Sequence, residues 1–426
     1  MKSLSLSKKV LTVVWICFIF LLILLLRRWV HDEYPVWWIF LSINFSYLCF
    51  KLFFSLFANR KAVHTNSTWL IEEKPTVAVI IPYYNEDYDT LVTVLECIAR
   101  QTYQVHEIIF VDDGCDDLTV YNQLQRLVPK WWKQYPDISL RILRQSENLG
   151  KKAAQILAFK ELQSQFVLLL DSDGEISTNA VADMLLPFEN SKTGAVVGKI
   201  QPRNFSHNFL TRMQDIIYSN AFQLGRRAQS FFGSVIVCSG ALSMYRLEVV
   251  LRNLDLFSRD RFLGIHCITG DDRLLTLITM KEGLKTLYQE SAICWTDVPT
   301  RIPNYLRQQI RWQKSGLLFT LFSFKALYKR GFALAFQILE QYLWLINLLI
   351  FLYLFFFENF RFTPLMIFVA IVYTVLVYYL TCIYYSRKNL LWYLFGFVLN
   401  FFYGFLLMFI RVYALCTIGI SKWYTR

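Results

Sequence analysis

The chain has 426 residues, 55% of them hydrophobic and 18% charged, with a formal net charge of +12. Ordinary soluble domains sit near about 45–50% apolar with about 25% charged residues, so composition argues against a simple soluble protein. The basic excess forms no arm or stripe of the kind that would suit nucleic acid.

It sits instead beside apolar runs, at Lys8 and Lys9, Arg60 and Lys61, Lys329 and Arg330, and Arg387 and Lys388. Basic residues in such places mark cytoplasmic ends of membrane helices and attract anionic headgroups. Nine cysteines show no paired metal-ligand spacing. With Cys238 and Cys267 in the expected cytoplasmic region, reduced thiols are expected rather than zinc or a disulfide framework.

In chain order, the first apolar run covers 10–26 and is followed by Arg27 and Arg28. A signal peptide would need a small-residue cleavage site, which is missing. The second run, 36–58, is broken only by Lys51, whose stem can snorkel. Both are long enough to span a bilayer, so 1–60 reads as a transmembrane hairpin with cytoplasmic ends.

Residues 70–315 have the pattern of an α/β domain. The runs 77–81, 107–111 and 165–170 are short and apolar, and the last two end in acids. Such strands with helices between them predict a parallel sheet covered on both faces, with ligands at the strands' carboxyl ends. Residues 316–331 fit an interfacial helix or, alternatively, a core helix of the domain. Residues 332–426 read as a C-terminal transmembrane region, with spans at 332–357 and 362–386 and a third apolar stretch at 389–410. Arg411, Lys422 and Arg426 favour a cytoplasmic tail. Either 389–410 is re-entrant, therefore, or another segment adds a crossing.

Three acidic clusters carry the expected chemistry. Asp171 and Asp173 stand two residues apart in a turn after an apolar strand. They could share a divalent cation that neutralises a nucleotide diphosphate. Hard oxygen ligands suit Mg²⁺ or Mn²⁺, and such a metal stabilises a departing diphosphate. An isolated pair of this kind also fits an acidic surface turn. Asp112 and Asp113, before Gly114 at the end of a second strand, favour the nucleotide site. The third cluster is Gly270-Asp271-Asp272-Arg273. Transfer to a sugar hydroxyl needs a base beside that hydroxyl, and Asp272 is the expected base. Its plainer alternatives are a helix cap or an ion pair with Arg273. Gln308, Arg311 and Trp312 fall on neighbouring helical turns. Arg311 suits a phosphate or buried acid, and Trp312 a sugar face; the competing reading is an amphipathic juxtamembrane helix.

Taken in order, these motifs resemble the processive family-2 glycosyltransferases, in particular bacterial hyaluronan synthases and rhizobial chitooligosaccharide (chitin synthase-like) synthases. The resemblance covers nearly the whole chain. It includes Asn85-Glu86-Asp87, Asp112-Asp113-Gly114, Asn148 to Lys151, Asp171 to Asp173, Ala228-Gln229-Ser230 and Cys238-Ser239-Gly240. It continues through Gly270 to Arg273, Thr296 to Pro299 and Gln308 to Trp312. It implies an inverting α/β GT-A domain inserted between transmembrane helices of a polytopic protein. Asp113 and Lys151 would contact the nucleotide sugar. Asp171 and Asp173 would bind the UDP–metal unit, with Asp173 as metal ligand. Asp272 would deprotonate the acceptor, so that direct attack converts an α-linked donor into a β-linked product.

By the same resemblance, Gln308, Arg311 and Trp312 line the diphosphate and acceptor sites, and Cys238, Ser239, Gly240 and Asp271 lie near the terminal acceptor sugar. The ending Trp423-Tyr424-Thr425-Arg426 resembles a Trp-Gly-Thr-Arg tail, departing at Tyr424; Trp423 and Arg426 would close over UDP. Stretches 210–215, 227–230 and 237–240 lean toward hyaluronan, made from UDP-N-acetylglucosamine and UDP-glucuronic acid. Stretch 413–417 leans toward chitin or a chitooligosaccharide, which needs only the first donor. The implied partners are these donors, the growing polysaccharide passed through the chain's own helices, and membrane lipids, with no nucleic acid. The implied location is the cell membrane, multi-pass, with the catalytic domain cytoplasmic. Two other functions compete with this one: a nucleotide-sensing export channel and a lipid-directed transferase of single sugars. The acidic clusters favour catalysis, and Gln308 to Trp312 favours processive synthesis.

Overall fold

The computed structural model describes residues 35–58, 67–259, 261–262, 265–266, 270–327, 331–357, 403–404 and 406–419, with Cys17, Ile371, Val375 and Tyr378 as single positions. Helices α1 (Pro35–Phe57) and α2 (Thr68–Glu73) precede an α/β domain. Its first half alternates strictly: β1 (Val77–Tyr83), α3 (Tyr88–Ala99), β2 (Glu107–Asp112), α4 (Thr119–Gln134), β3 (Ser139–Arg144), α5 (Lys151–Phe159) and β4 (Phe166–Leu170). The strands pair in parallel in the order β3-β2-β1-β4. Every residue of β1 and β4 is buried, which explains their unbroken apolar runs: helices cover both faces. The three strands expected at 77–81, 107–111 and 165–170 are β1, β2 and β4.

The second half is less regular. It comprises β5 (Glu175–Ile176), α6 (Ala180–Leu185), β6 (Thr193–Pro202), α7 (Phe209–Ser219), a π-helical turn (Asn220–Arg226), α8 (Arg227–Phe231) and β7 (Leu242–Arg246). Then come α9 (Leu247–Arg252), α10 (Leu254–Ser258), the ribbon of β8 (Arg261–Phe262) and β9 (Ile265–His266), α11 (Asp271–Lys281) and β10 (Lys285–Thr296). Strand β7 inserts antiparallel between β4 and β6, and β10 runs parallel to β6. Helices α12 (Ile302–Leu327) and α13 (Gly331–Phe357) follow.

Local chemistry sets several boundaries near the sheet's carboxyl end. Asp87 caps α3 by accepting from the Thr90 amide at 2.8 Å. The Thr90 hydroxyl, which donates to Asp87 Oδ2 at 2.7 Å, and then that amide hold the Asp87 carboxyl below the ordinary range. Gly114 turns the chain after β2 at φ +71°, and Gly270 starts α11 at φ +92°. The latter permits close packing, because a Cβ at Gly270 would lie 2.1 Å from Ser315 Oγ on α12. Helix α12 runs unbroken through residue 316, with Leu317, Leu318 and Phe319 buried. Leu318 and Phe319 belong to the domain's main core.

The membrane expectation needs correction. Among the described residues, no helix is long and apolar enough to cross a membrane. That finding overturns the polytopic architecture and the multi-pass cell-membrane location, and leaves the lipid partners and the passage of polymer through the chain's own helices without support. Protein supplies part of the burial that α1 demands, on one face, while Ile39, Phe53 and Phe57 of the same helix stay exposed. Leu52 and Leu56 are buried, and the Phe54 ring packs against Phe231 of α8 and against Phe232 just after it at 5.0 and 4.6 Å. Asn44 and Asn347 exchange side-chain hydrogen bonds between α1 and α13 at 3.0 and 2.9 Å. A run of apolar residues records burial without recording whether lipid or protein supplies it. The segment 10–26 apart from Cys17, most of 362–402, and the basic pairs at 8–9, 60–61, 329–330 and 387–388 lie outside the described residues.

Candidate active site

The order β3-β2-β1-β4 reverses direction between β1 and β4, and open α/β sheets bind ligands at the carboxyl ends of strands beside such a reversal. The acids after β2 and β4 stand there. Asp113 follows β2 and is buried. Its Oδ1 accepts from the Leu149 and Gly150 amides at 3.2 and 3.0 Å. Burial nevertheless pushes its carboxyl up to about 6, against the pull of those amides. The pairing also clamps the loop that launches α5, so Asp113 helps place Lys151, the first residue of that helix.

Lys151 Nζ pairs with Asp171 Oδ1 just beyond β4. Burial works against the lysine's charge. Asp171, Asp271 and Asp272 outweigh it and raise its proton affinity. The other acid of the pair, Asp173, is buried, and its Oδ2 accepts from Thr296 Oγ1 at 3.0 Å and the Asp297 amide at 3.3 Å. Arg203 ties this corner together by pairing with Glu175 and, at 2.8 Å, with Asp297.

The later motif folds onto the same group. A Cβ added at Gly240 would lie 3.0 Å from Lys151 Nζ and 3.8 Å from Asp272 Cβ. The segment 238–240 therefore presses its backbone between the lysine and the start of α11. Thr276 holds it there: its hydroxyl donates to the Asp272 carbonyl at 2.7 Å and accepts from the Cys238 amide at 2.9 Å. Asp271 Oδ2 accepts from Gln155 Nε2 at 2.9 Å. Asp272 Oδ1 accepts from the Arg273 amide at 2.7 Å. Burial, then the Asp271 charge, raises the Asp272 carboxyl above its ordinary range, opposed by Arg273 and Lys151.

Lys151, Asp171, Gly240, Asp271 and Asp272 thus converge, with Asp113 and Asp173 flanking them. Cys238 sits in the core, and burial lifts its thiol to about 12; Ser239 is half-buried in the same loop. Gln308, Arg311 and Trp312 lie on α12, before the turn that meets Gly270. Gln308 Oε1 is buried without a hydrogen-bond partner. Trp312 is 39% exposed, with its ring 6.3 Å from that of Tyr218. Trp423 and Arg426 lie outside the described residues. Sequence reasoning missed Gln155 and Arg203. Gln155 was detectable, being one helical turn after Lys151 and so on the same face. No local pattern marks Arg203, whose partners are distant in sequence.

A divalent cation fits this donor set in part. Among the described residues, no group of three or more His, Cys, Asp or Glu side chains could hold a metal ion. Mg²⁺ and its like commonly take only one or two carboxylates and complete their shell with substrate phosphates and water, and Asp171 and Asp173 can supply those.

This arrangement is that of an α/β domain with a carboxylate-lined site at its topological switch. Glycosyl transferase family 2 matches residues 78–253, and Glycosyl transferase family group 2 matches residues 166–418. A hyaluronan synthase of Streptococcus pyogenes is 34% identical over 356 residues, which cover 82% of this chain and 83% of that protein. An N-acetylglucosaminyltransferase of Sinorhizobium fredii is 33% identical over 290 residues, 68% of each chain. A mannosyltransferase of Pyrobaculum calidifontis, solved with GDP-Man and Mn²⁺, shares the fold. Its TM-score is 0.54 at 19% identity, over 85% of this chain and 97% of that one. The chain belongs to glycosyl transferase family 2 and is a glycosyltransferase related to the hyaluronan synthases and rhizobial N-acetylglucosaminyltransferases.

Proposed function

We propose that this enzyme is a processive, inverting transferase that builds hyaluronan from UDP-N-acetylglucosamine and UDP-glucuronic acid. The observation that carries a transfer site is the gathering of Lys151, Asp171, Gly240, Asp271 and Asp272 at the carboxyl end of the sheet. The choice of product is supported by reach: at 34% identity the hyaluronan synthase alignment extends over 356 residues, and at 33% the N-acetylglucosaminyltransferase alignment extends over 290. A chitin-type product from UDP-N-acetylglucosamine alone is the second reading, favoured by the name of that second relative.

In this reading Asp113 binds the nucleotide, and Lys151 sets its charge against the diphosphate. Asp173, with Asp171, holds Mg²⁺ or Mn²⁺, which when bound neutralises the diphosphate as it departs. Gly240 gives the acceptor chain close access, flanked by Cys238, Ser239 and Asp271. Asp272 takes the proton from the acceptor hydroxyl as that oxygen forms its bond to the anomeric carbon and the bond to UDP breaks. Attack opposite the leaving group inverts the centre, so an α-linked donor gives a β-linked product. Gln308, Arg311 and Trp312 line the diphosphate and acceptor sides, Trp312 with its exposed ring against the sugar.

The test is to supply each donor alone and both together, measuring UDP release, polymer mass, and digestion by hyaluronidase or chitinase. The expected result is long polymer only with both donors, cleaved by hyaluronidase. Polymer from UDP-N-acetylglucosamine alone that only chitinase cleaves would sink the hyaluronan reading. Release of no UDP from any UDP-sugar by metal-replete protein would sink the UDP-sugar reading altogether.

The metal role has its own check. Asp173→Asn is expected to weaken metal-dependent UDP binding at least about tenfold, since loss of even a supporting group around a metal typically costs that much. Calorimetry with and without Mn²⁺ reads the effect, and unchanged metal and UDP affinities would count against the assignment.

A further inference from the structure

The start of α11 is held from below by a side chain that the transfer chemistry leaves unexplained. Gln155 on α5 is wholly buried, and its Nε2 donates to Asp271 Oδ2 at 2.9 Å across 116 residues of sequence. Its other polar atom, Oε1, is buried with no hydrogen-bond partner. A buried acceptor left in this state lowers stability, and an apolar side chain of the same size would avoid that loss. What such a side chain could not supply is a donor to Asp271.

The identity of the donor is also informative. An amide holds the carboxylate in place without cancelling its charge, whereas lysine or arginine would neutralise it. The charge has somewhere to act. Asp271 adjoins Asp272 and, with Asp171 and Asp272, bears on Lys151. Lys151 is one turn before Gln155 on the same helix, so a single face of α5 sets both the lysine and the amide against α11.

We infer that Gln155 is a positioning residue for sugar transfer: its amide fixes the Asp271 carboxylate beside Asp272 and Lys151 so that the base faces the acceptor correctly. This rests on the proposed role of Asp272. Gln155 is wholly buried and acts through Asp271. Freed from that amide, Asp271 would swing, and both the alignment of Asp272 and the field around it would change. Small misplacements of this kind reduce turnover more than ground-state binding.

The test uses the full-length chain with Gln155→Met, which keeps the volume and removes the donor together with the orphan acceptor. Turnover, KM for UDP-N-acetylglucosamine, UDP affinity, thermal midpoint and the pH profile of turnover are measured with Mn²⁺ present. The expected result is a fall in kcat of about tenfold or more, with KM and UDP affinity within about twofold and a midpoint unchanged or raised. The acid limb of the profile should move to lower pH, because a displaced Asp271 charge no longer raises the proton affinity of Asp272. Gln155→Glu, which sets a like charge against Asp271, should lose at least as much turnover.

Wild-type kcat and an unmoved acid limb in Gln155→Met would overturn the inference while leaving the transferase reading intact. Loss of folding in both variants would make Gln155 a core residue and overturn it as well. A wild-type protein inactive with every UDP-sugar would instead strike the functional reading, and this role with it.

Discussion

Replacing Asp272 with Asn is expected to lower sugar transfer about 10²–10⁴-fold, the usual worth of a positioned base, while UDP binding stays within about twofold. The substitution is isosteric. An Asn side-chain oxygen can still accept from the Arg273 amide, which Asp272 Oδ1 does at 2.7 Å. Lys151 retains its partner Asp171, so the donor side is left standing. What disappears is the proton acceptor. The pH dependence carries the same signature. A base works only when deprotonated, and burial together with Asp271 raises the proton affinity of Asp272. Wild-type turnover should therefore climb with pH through an inflection above the ordinary carboxylate range. The residual rate of Asp272→Asn should lack that limb. Near-normal polymerisation by this variant would rule out the base assignment.

The second large effect is on the scaffold. Gly114→Ala is expected to destabilise the domain by about 2–5 kcal/mol. That figure combines about 1–2 kcal/mol for an L side chain in left-handed backbone with about 1–3 kcal/mol for overpacking. The residue has φ +71°, and its new Cβ would fall 2.2 Å from the Glu147 carbonyl carbon and 2.4 Å from the Asn148 nitrogen. Both obstacles are backbone, which cannot swing aside as a flexible side chain would. They also belong to the loop whose Leu149 and Gly150 amides bind Asp113. UDP binding should therefore weaken along with stability. Gly283→Ala is the control, since that residue has φ +83° but nothing within 4 Å of the added carbon. It should carry only the backbone penalty. Equal losses in denaturant titrations of the two variants would show that the crowding at Gly114 is relieved, contrary to this account.

Much of the catalytic half was readable because local pattern and tertiary role coincide there. Strands β1 and β4 are apolar throughout and are buried throughout, and acids in the turns after β2 and β4 mark the ligand-binding edge. Other features depend on pairings that no window contains. Strand β7 is inserted antiparallel between β4 and β6, and its short run LSMYR does not announce that place. Residues 316–327 fit an interfacial helix or a core helix by pattern alone; in the fold they continue α12 and bury Leu318 and Phe319 in the core. The same ambiguity attends every long apolar run of this chain. Hydropathy measures how strongly a stretch avoids water, whereas its partner is set by what folds against it, as Phe231 and Phe232 do against α1. Among the candidate site residues, Cys238 shows the reverse case: its motif adjoins the site through Gly240, while its own thiol points into the core.

By itself, the sequence determined three of the four parallel strands, β1, β2 and β4, and the identity of the acids and their order, because short-range hydrophobic runs and strand-end turns encode these directly. Only the tertiary structure decided that Lys151 meets Asp171, that Gly240 lies against both Lys151 and Asp272, and that Gln155 holds Asp271. Those contacts join elements many residues apart. Their distances follow from sheet order and from helix packing through Gly270 and Thr276, which are properties of the folded chain as a whole.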